Sequence, residues 1–341
     1  MNIPLCTILL MVLSHASEVT TPASCYAPQV PRGQPIKVMT HNIQLALGEY
    51  RRFWKSDEQA MPSKIQVMAT LASIEKVILD EQPDILFLQE ASRHSVISHY
   101  IDQIAAIKER LGADYCMKSE YYWNRAYIPR GQMWGAMDYS LVIFTRYSMS
   151  KTRKVDLPRE FSLTSWFYPY RFLMETDLLT EDGQTISLLN THLDAHDQKG
   201  LLRLRQMAAV HWHISKLYRQ KTPFILAGDF NLIPPDVRKW LPENQKSHFG
   251  EKMHMGIFYN DAWLDVVPSL ENVTGSDRRQ WTTAYDQNRH ELDLNLDYLI
   301  YSNTSLSLIS SRVMQEHKKL SDHVPVTAVF LLKEKESSSE N

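Results

Sequence analysis

What most constrains the fold of this 341-residue chain is one repeated device: a short apolar run that ends in, or starts from, a few polar groups. In Pro223-Phe-Ile-Leu-Ala-Gly-Asp-Phe-Asn231, the run Phe224 to Ala227 suits a strand buried on both faces. Gly228 breaks it just before a carboxylate and a carboxamide. Strand alternation predicts that Asp229 and Asn231 project to one side, where one takes a proton or ligates a metal while the other donates hydrogen bonds to an oxyanion. Taken alone, the same residues fit a turn in which Asp and Asn cap backbone groups. Repetition favours the first reading. Ile36 to Met39 lead to Thr40-His41-Asn42, Asp84 to Leu88 lead to Gln89-Glu90, and Thr185 to Leu189 lead to Asn190-Thr191-His192. Leu296 to Ile300 carry Asp297, and Leu320-Ser321-Asp322-His323 precede the apolar stretch Val324 to Phe330.

Helical periodicity is weaker and appears singly between strands. It predicts one helix over Ser63 to Asp80, with Ile65, Met68, Ala69, Ala72, Val77 and Leu79 as its apolar positions and Pro83 closing it. A second is expected over His94 to Leu111, burying Ile97, Ile101, Ile104, Ala105 and Ile107. A third runs over Leu201 to Leu217 with a basic start at Arg203 and Arg205. On that helix His211 and His213 are two residues apart, hence on different faces, and read as surface or packing histidines rather than a shared metal site. Strands outnumber helices. The expected fold class is α+β: a four-layer α/β/β/α sandwich of two packed, mostly antiparallel sheets flanked by helices, occupying residues 36–332 as one domain.

Two aromatic stretches stand out. Tyr121 to Trp134 reads either as a hairpin whose rings close the core or as a platform of rings and arginines facing substrate; Phe161 to Phe172 is a second cluster. Leu45 to Pro62 is an irregular charged and aromatic stretch, and Pro234 to Asn260 a loop-rich insertion. The formal charge of −2 gives no whole-molecule attraction to nucleic acid or anionic membranes, although a local cationic cleft is compatible with it.

Pro4 to Leu13 has the length of a signal-peptide apolar core, and Ser14-His15-Ala16 suits cleavage, so residues 1–16 are expected to be an export signal too short to span a bilayer as a helix. Residues 17–35, rich in Pro, Thr and Ser, are expected to be an extended leader with little structure of their own, and 333–341 a disordered tail. The expected address is secreted or extracytoplasmic. Cys6 would leave with the signal, which leaves Cys25 and Cys116 either as one disulfide or as two free thiols.

In order and spacing, Asn42, Gln89-Glu90, Asn190-Thr191-His192-Leu193, Gly228-Asp229-Phe230-Asn231, Leu296-Asp297-Tyr298 and Ser321-Asp322-His323 resemble the motifs of the endonuclease/exonuclease/phosphatase superfamily. That is the fold shared by deoxyribonuclease-I-like nucleases, abasic-site endonucleases, inositol-phosphate phosphatases and neutral sphingomyelinases. The resemblance runs from about Ile36 to Phe330 and implies the same four-layer sandwich, with a short helical turn over Asp261 to Val267. It further implies that Asn42, Glu90 and Asp322 hold a metal, for which oxygen ligands suit Mg²⁺ or Mn²⁺. By the same resemblance Asp297 fixes the tautomer of His323, which serves as general base or as a transition-state cation. His192 donates a hydrogen bond to a phosphate oxygen, Asp229 orients or deprotonates the water and Asn231 holds the phosphoryl oxygen. Which of Asp229 and His323 is the base stays open.

The expected function is therefore an exported Mg²⁺-dependent phosphoric-ester hydrolase. A phosphodiesterase is favoured, because the Pro-x-Trp-x-Asp-Arg signature of the inositol-phosphate phosphatases is absent. Leu-Ser-Asp-His-Val-Pro-Val and Leu-Asp-Tyr-Leu-Ile are similar to the sphingomyelinase-like branch, whose substrate is a lipid headgroup, and the aromatics around Tyr121 to Trp134 are then expected to make peripheral membrane contact. The alternatives are a secreted deoxyribonuclease-I-like endonuclease acting on nucleic acid and a non-catalytic binding protein of the same fold.

Overall fold

The computed structural model describes residues 25, 27–49, 62–130, 133–150, 152–160, 169–195, 197, 201–252, 254–286 and 291–334. The first half contains β1 (Ile36–Asn42), α1 (Lys64–Glu81), β2 (Ile85–Ala91), α2 (Gln103–Leu111) and the hairpin β3 (Cys116–Arg130) and β4 (Met133–Thr145). The chain continues through β5 (Arg153–Asp156), β6 (Phe172–Leu179), β7 (Thr185–His192), α3 (Leu201–Arg219), β8 (Phe224–Asp229), α4 (Glu243–His248), α5 (Gly256–Tyr259) and β9 (Leu264–Val267). It ends with α6 (Leu270–Thr274), β10 (Ala284–Asp286), β11 (Glu291–Leu294), β12 (Asp297–Ser302), β13 (Leu306–Val313) and β14 (Val326–Leu332).

Two six-stranded sheets result, ordered β13-β14-β1-β2-β4-β3 and β5-β6-β7-β8-β12-β9, with β10 and β11 forming a small separate ribbon. Each large sheet has one parallel pair among antiparallel neighbours: β1 with β2, and β7 with β8. A parallel pair needs a crossover, which α1 and α3 supply. β8 and β12 are buried along their whole length, as continuous apolar runs between two covered faces must be. One core joins the facing sheets, through Val38, Leu88, Ile186, Ile225 and Leu299, and reaches α1 and α2; a second lies between the second sheet and α3, through Leu189, Val210, Ile214, Phe224 and Ile300. These layers are the sandwich expected from the sequence.

Several local expectations change. α1 forms where predicted, capped by a reciprocal Ser63–Gln66 box, but it buries Val67, Leu71, Ile74, Val77 and Ile78, while Ile65 and Met68 face solvent. At roughly 1.5–3 kcal/mol per buried aliphatic side chain, five on one face outweigh the competing stripe. The second helix begins only at Gln103. Upstream, Asp138 accepts the backbone N–H groups of Arg93 and His94, left-handed His99 and Tyr100 break any helix, and Asp102 caps the remainder; Ala105 is exposed. Asp261 to Val267 is not a helical turn, because Leu264–Val267 pairs as an edge strand with β12.

The described part of the leader is fastened at several points. Cys25 is disulfide-bonded to Cys116, Val30 donates its N–H to Leu179, and Ser148 N–H bonds to Pro28. The expected export signal, most of the Phe161 to Phe172 cluster, residues 50–61 and the tail beyond Glu334 lie outside the described residues. Among the described residues no helix is long and apolar enough to cross a membrane.

Candidate active site

The parallel pairs align the polar strand ends. Asn42 stands opposite Gln89 in the β1–β2 register, His192 opposite Asp229 in β7–β8, and Asp297 opposite Asp229 in β8–β12. Because the two sheets face each other, these ends meet at one edge of the sandwich. Asn42 spans them: its Nδ2 donates to Glu90 Oε1 at 3.2 Å within its own sheet and to Asp229 Oδ2 at 3.0 Å across the gap. Glu90 reaches this position because the β2–β4 ladder shifts register between Leu88 and Ala91 and Glu90 adopts a left-handed φ of 53°.

His192 Nε2 lies 3.4 Å from Asp229 Oδ2, and its Nδ1 pairs with the Tyr122 hydroxyl at 3.2 Å. His323 Nδ1 bonds Asp297 Oδ2 at 2.7 Å, leaving Nε2 facing Asp229 Oδ2 at 3.6 Å and Asp322 Oδ1 at 3.9 Å. Asp322 is gripped by Gln44, whose Nε2 donates to Oδ2 at 2.8 Å. The structure thus gathers Asn42, Glu90, His192, Asp229, Asp297, Asp322 and His323.

Asn231 differs from the alternation argument. The strand ends at Asp229, Asn231 turns left-handed at φ 51°, and its Nδ2 donates to the Leu193 carbonyl at 3.1 Å. Its backbone N–H instead binds Asp229 Oδ1 at 2.9 Å and holds that carboxylate.

Three buried carboxylates, Asp229, Asp297 and Asp322, and the partly exposed Glu90 crowd this site. Burial, reinforced by the Asp322 charge, pushes Glu90 up to about 7; burial raises Asp229, and it raises Asp297 to about 6 against the opposing pull of His323. Burial works against a charged His323, but Asp297, Asp229 and Asp322 outweigh it and hold the imidazolium well above the usual histidine range. Such an excess of negative charge calls for a further cation. One ligand atom from each of Asp229, Asp297 and His323 lies within 4.8 Å of the others, and Asp297 Oδ1 is buried with no hydrogen-bond partner. The oxygen donors of Glu90, Asn42 and Asp322 fit a hard divalent ion, whereas His323 held as an imidazolium has no lone pair to offer one.

Some residues at the site had no assigned role in the sequence. Gln44, two residues after Asn42, belongs to a turn in which Gln44, Leu45 and Ala46 all have positive φ. Gln89 Nε2 donates to Asn190 Oδ1 at 2.8 Å, tying the sheets together behind the site. Arg203, part of the basic start of α3, packs inward. It is fully buried and donates from Nη1 to the Asn231 carbonyl at 2.7 Å and from Nη2 to the Asp197 carbonyl at 3.0 Å. Tyr122 stacks on Tyr139 at 5.7 Å, and the Arg171 guanidinium carbon lies 5.0 Å from the centre of the Tyr122 ring. The only signal for these last residues was the density of aromatics and arginines around them.

Residues 39–323 match the model of the Endonuclease/Exonuclease/phosphatase family. The chain belongs to this family. Three solved structures resemble it. An endonuclease/exonuclease/phosphatase from Beutenbergia cavernae superposes with a TM-score of 0.61 at 19% identity, over 88% of this chain and 72% of that one. The human Nocturnin catalytic domain with bound sulfate gives 0.58 at 19%, over 89% and 95%, and ANGEL2, a 2′,3′-cyclic phosphatase, gives 0.57 at 18%, over 87% and 95%. At such identities the likeness is one of fold. The comparison with curated proteins gave no match. As a member of the endonuclease/exonuclease/phosphatase family the chain is a hydrolase of phosphoric esters, in a family whose enzymes generally use divalent metals.

Proposed function

We propose that the protein is an exported, Mg²⁺-dependent phosphodiesterase that cleaves the headgroup phosphodiester of a lipid. The observation that carries the reading is the convergence of Asn42, Glu90, His192, Asp229, Asp297, Asp322 and His323 at one edge of the two sheets. Asn42, Glu90 and Asp322 would hold the metal, which supplies charge neutralisation at the phosphoryl oxygens. His323, kept cationic by three carboxylates, stabilises charge developing on the phosphoryl group and is the poorer base. Asp229, raised by burial and held by the Asn231 N–H, takes the proton of the attacking water. Asp297 fixes the His323 ring through Nδ1, and His192 donates a hydrogen bond to a phosphoryl oxygen.

Export is supported by the apolar amino-terminal run and by the Cys25–Cys116 disulfide, a linkage suited to an oxidising compartment. The near-neutral net charge favours a lipid over a long polyanion. The test is product release by the purified protein from sphingomyelin, phosphatidylcholine, plasmid DNA and inositol polyphosphates, with Mg²⁺ and with EDTA. Mg²⁺-dependent release from a phospholipid is expected. Cleavage of DNA alone, with a steep fall in affinity as salt rises, would replace the lipid reading with a nuclease. Cleavage unaffected by EDTA would remove the metal.

A further inference from the structure

Between Leu201 and Lys221 the chain has no Asp or Glu, although the whole protein bears a formal charge of −2. Most of this segment is α3, whose inner face buries Leu202, Val210 and Ile214 beside the second sheet. On its outward face Leu201, Arg205, Ala208, Trp212, Lys216 and Arg219 recur at intervals of three and four residues, the spacing of one stripe down a helix. The stripe is open to solvent. Leu201 and Trp212 are 54% and 58% exposed, and Lys216 Nζ sits 3.2 Å from the centre of the Trp212 ring. Among the described residues no ion pair reaches Arg205, Lys216 or Arg219, and the carboxylates that approach α3, Asp261 and Glu175, are engaged by His211 and His213. The positive charge of the stripe is therefore uncompensated.

We propose that the outward stripe of α3 is a docking surface for an anionic phospholipid bilayer, against which the helix lies along its length. Trp212 and Leu201 enter the boundary between headgroups and acyl chains, while Arg205, Lys216 and Arg219 stay at the level of the lipid phosphates. Charge alone would serve a nucleic acid equally well. A polyanion in water, however, gives no reason to leave Leu201 exposed in line with the cations, whereas a lipid surface accepts both kinds of side chain. The stripe also begins beside the chemistry: Arg203, in the first turn of α3, holds the Asn231 carbonyl, and the Asn231 N–H holds Asp229. A molecule seated on α3 thus has its catalytic edge next to the headgroups. The inference rests on the lipid-phosphodiester reading above and adds to it the surface that brings the enzyme to its substrate.

The probes are vesicles of phosphatidylcholine alone and of phosphatidylcholine mixed with phosphatidylserine, floated with the full chain in EDTA so that binding is read apart from hydrolysis. Wild type is expected to bind the mixed vesicles roughly tenfold or more tightly than the neutral ones, and Arg205→Gln, Lys216→Gln and Arg219→Gln combined to erase that preference. Trp212→Ala is expected to weaken binding to both. Turnover of a water-soluble phosphodiester with Mg²⁺ should stay at the wild-type value in each variant, because none of these side chains touches the site. Equal binding of wild type to the two kinds of vesicle, or an undiminished preference in the combined variant, would overturn the proposal. Should the combined variant fail to fold, the three single replacements carry the test, and a full preference in all of them overturns it as well. Retention of plasmid DNA that falls in the combined variant, with no vesicle bound, would replace the bilayer with nucleic acid. Stripe-dependent vesicle binding without hydrolysis of any lipid would sink the lipid-phosphodiesterase reading and leave the docking surface standing; hydrolysis of a short-chain lipid in solution by protein that binds no vesicle would do the reverse.

Discussion

Gln44 and Asp322, separated by 278 positions, hold each other at two points: Gln44 Nε2 donates to Asp322 Oδ2 at 2.8 Å, and Gln44 Oε1 accepts the Asp322 backbone N–H at 3.3 Å. A neutral amide in this place restrains a carboxylate without adding to the local charge, and the left-handed backbone at Gln44, φ 44°, aims it there. Groups that orient a metal-side carboxylate typically control about tenfold to a hundredfold in affinity. Gln44→Leu should therefore weaken Mg²⁺ or Mn²⁺ binding by that factor while circular dichroism stays native. Equal affinity in the two proteins would remove Gln44 from the site.

Asp297 and His323 share a 2.7 Å bond that fixes the ring and sustains its charge. Asp297→Asn should lower kcat by on the order of 10²–10⁴ with KM little changed and bring the His323 titration, followed by NMR, down towards the ordinary range. His323→Ala should abolish turnover in a folded protein. Near-normal turnover in either variant would discard the assignment.

Arg203 ties the start of α3 to the loop that carries Asn231. Arg203→Met would leave the Asn231 and Asp197 carbonyls without their donor in a buried setting, at a cost of about 2–4 kcal/mol. Chemical denaturation should show that loss, together with lower activity, since the Asn231 N–H holds Asp229. A change under about 0.5 kcal/mol, the scale of ordinary surface substitutions, would contradict the structural role.

Away from the site, Glu175 is buried beneath α3. Its burial favours the neutral acid, but hydrogen bonds from His213, Arg153 and Ser187 prevail and bring it down to about 2. Because the folded value lies below the unfolded one of 4.5, ionised Glu175 stabilises the protein fully above pH 4.5, and that contribution disappears as pH falls towards 2. Glu175→Gln should cost about 2 kcal/mol at pH 7. The difference in melting temperature between the two proteins should narrow as pH drops from 4.5; a gap independent of pH would refute the linkage.

The strand ends were legible because burial on both faces demands unbroken apolar runs, and a polar residue closing such a run stands out. Asn42, Glu90, His192, Asp229, Asp297, Asp322 and His323 all occupy such positions. Asn231 departs from the alternation expected of it, since the strand stops at Asp229 and a left-handed turn follows. Arg203 was legible only as part of a basic helix start, because nothing in a local pattern says that the chain will fold over it. Gln44 takes a left-handed φ with no glycine to announce it, and Tyr122 and Arg171 meet from segments distant in sequence. The face of α1 was misjudged for a related reason: Ile65 and Met68 are as apolar as Val67 and Leu71, and only the shape of the first sheet chooses between them.

β14 lies between β13 and β1 in the first sheet, and Asp322 and His323 come just before it. A nascent chain extended only as far as Leu320 would already hold Asn42, Glu90, His192, Asp229 and Asp297, yet Gln44 would grip nothing and Asp297 would face no imidazole. It would also expose the β1 edge that β14 later covers, the kind of open strand that captures foreign strands. The segment from Ser321 through β14 thus carries both reactive groups and the cover of the β1 edge, so a chain clipped before it should be both inert and prone to aggregate.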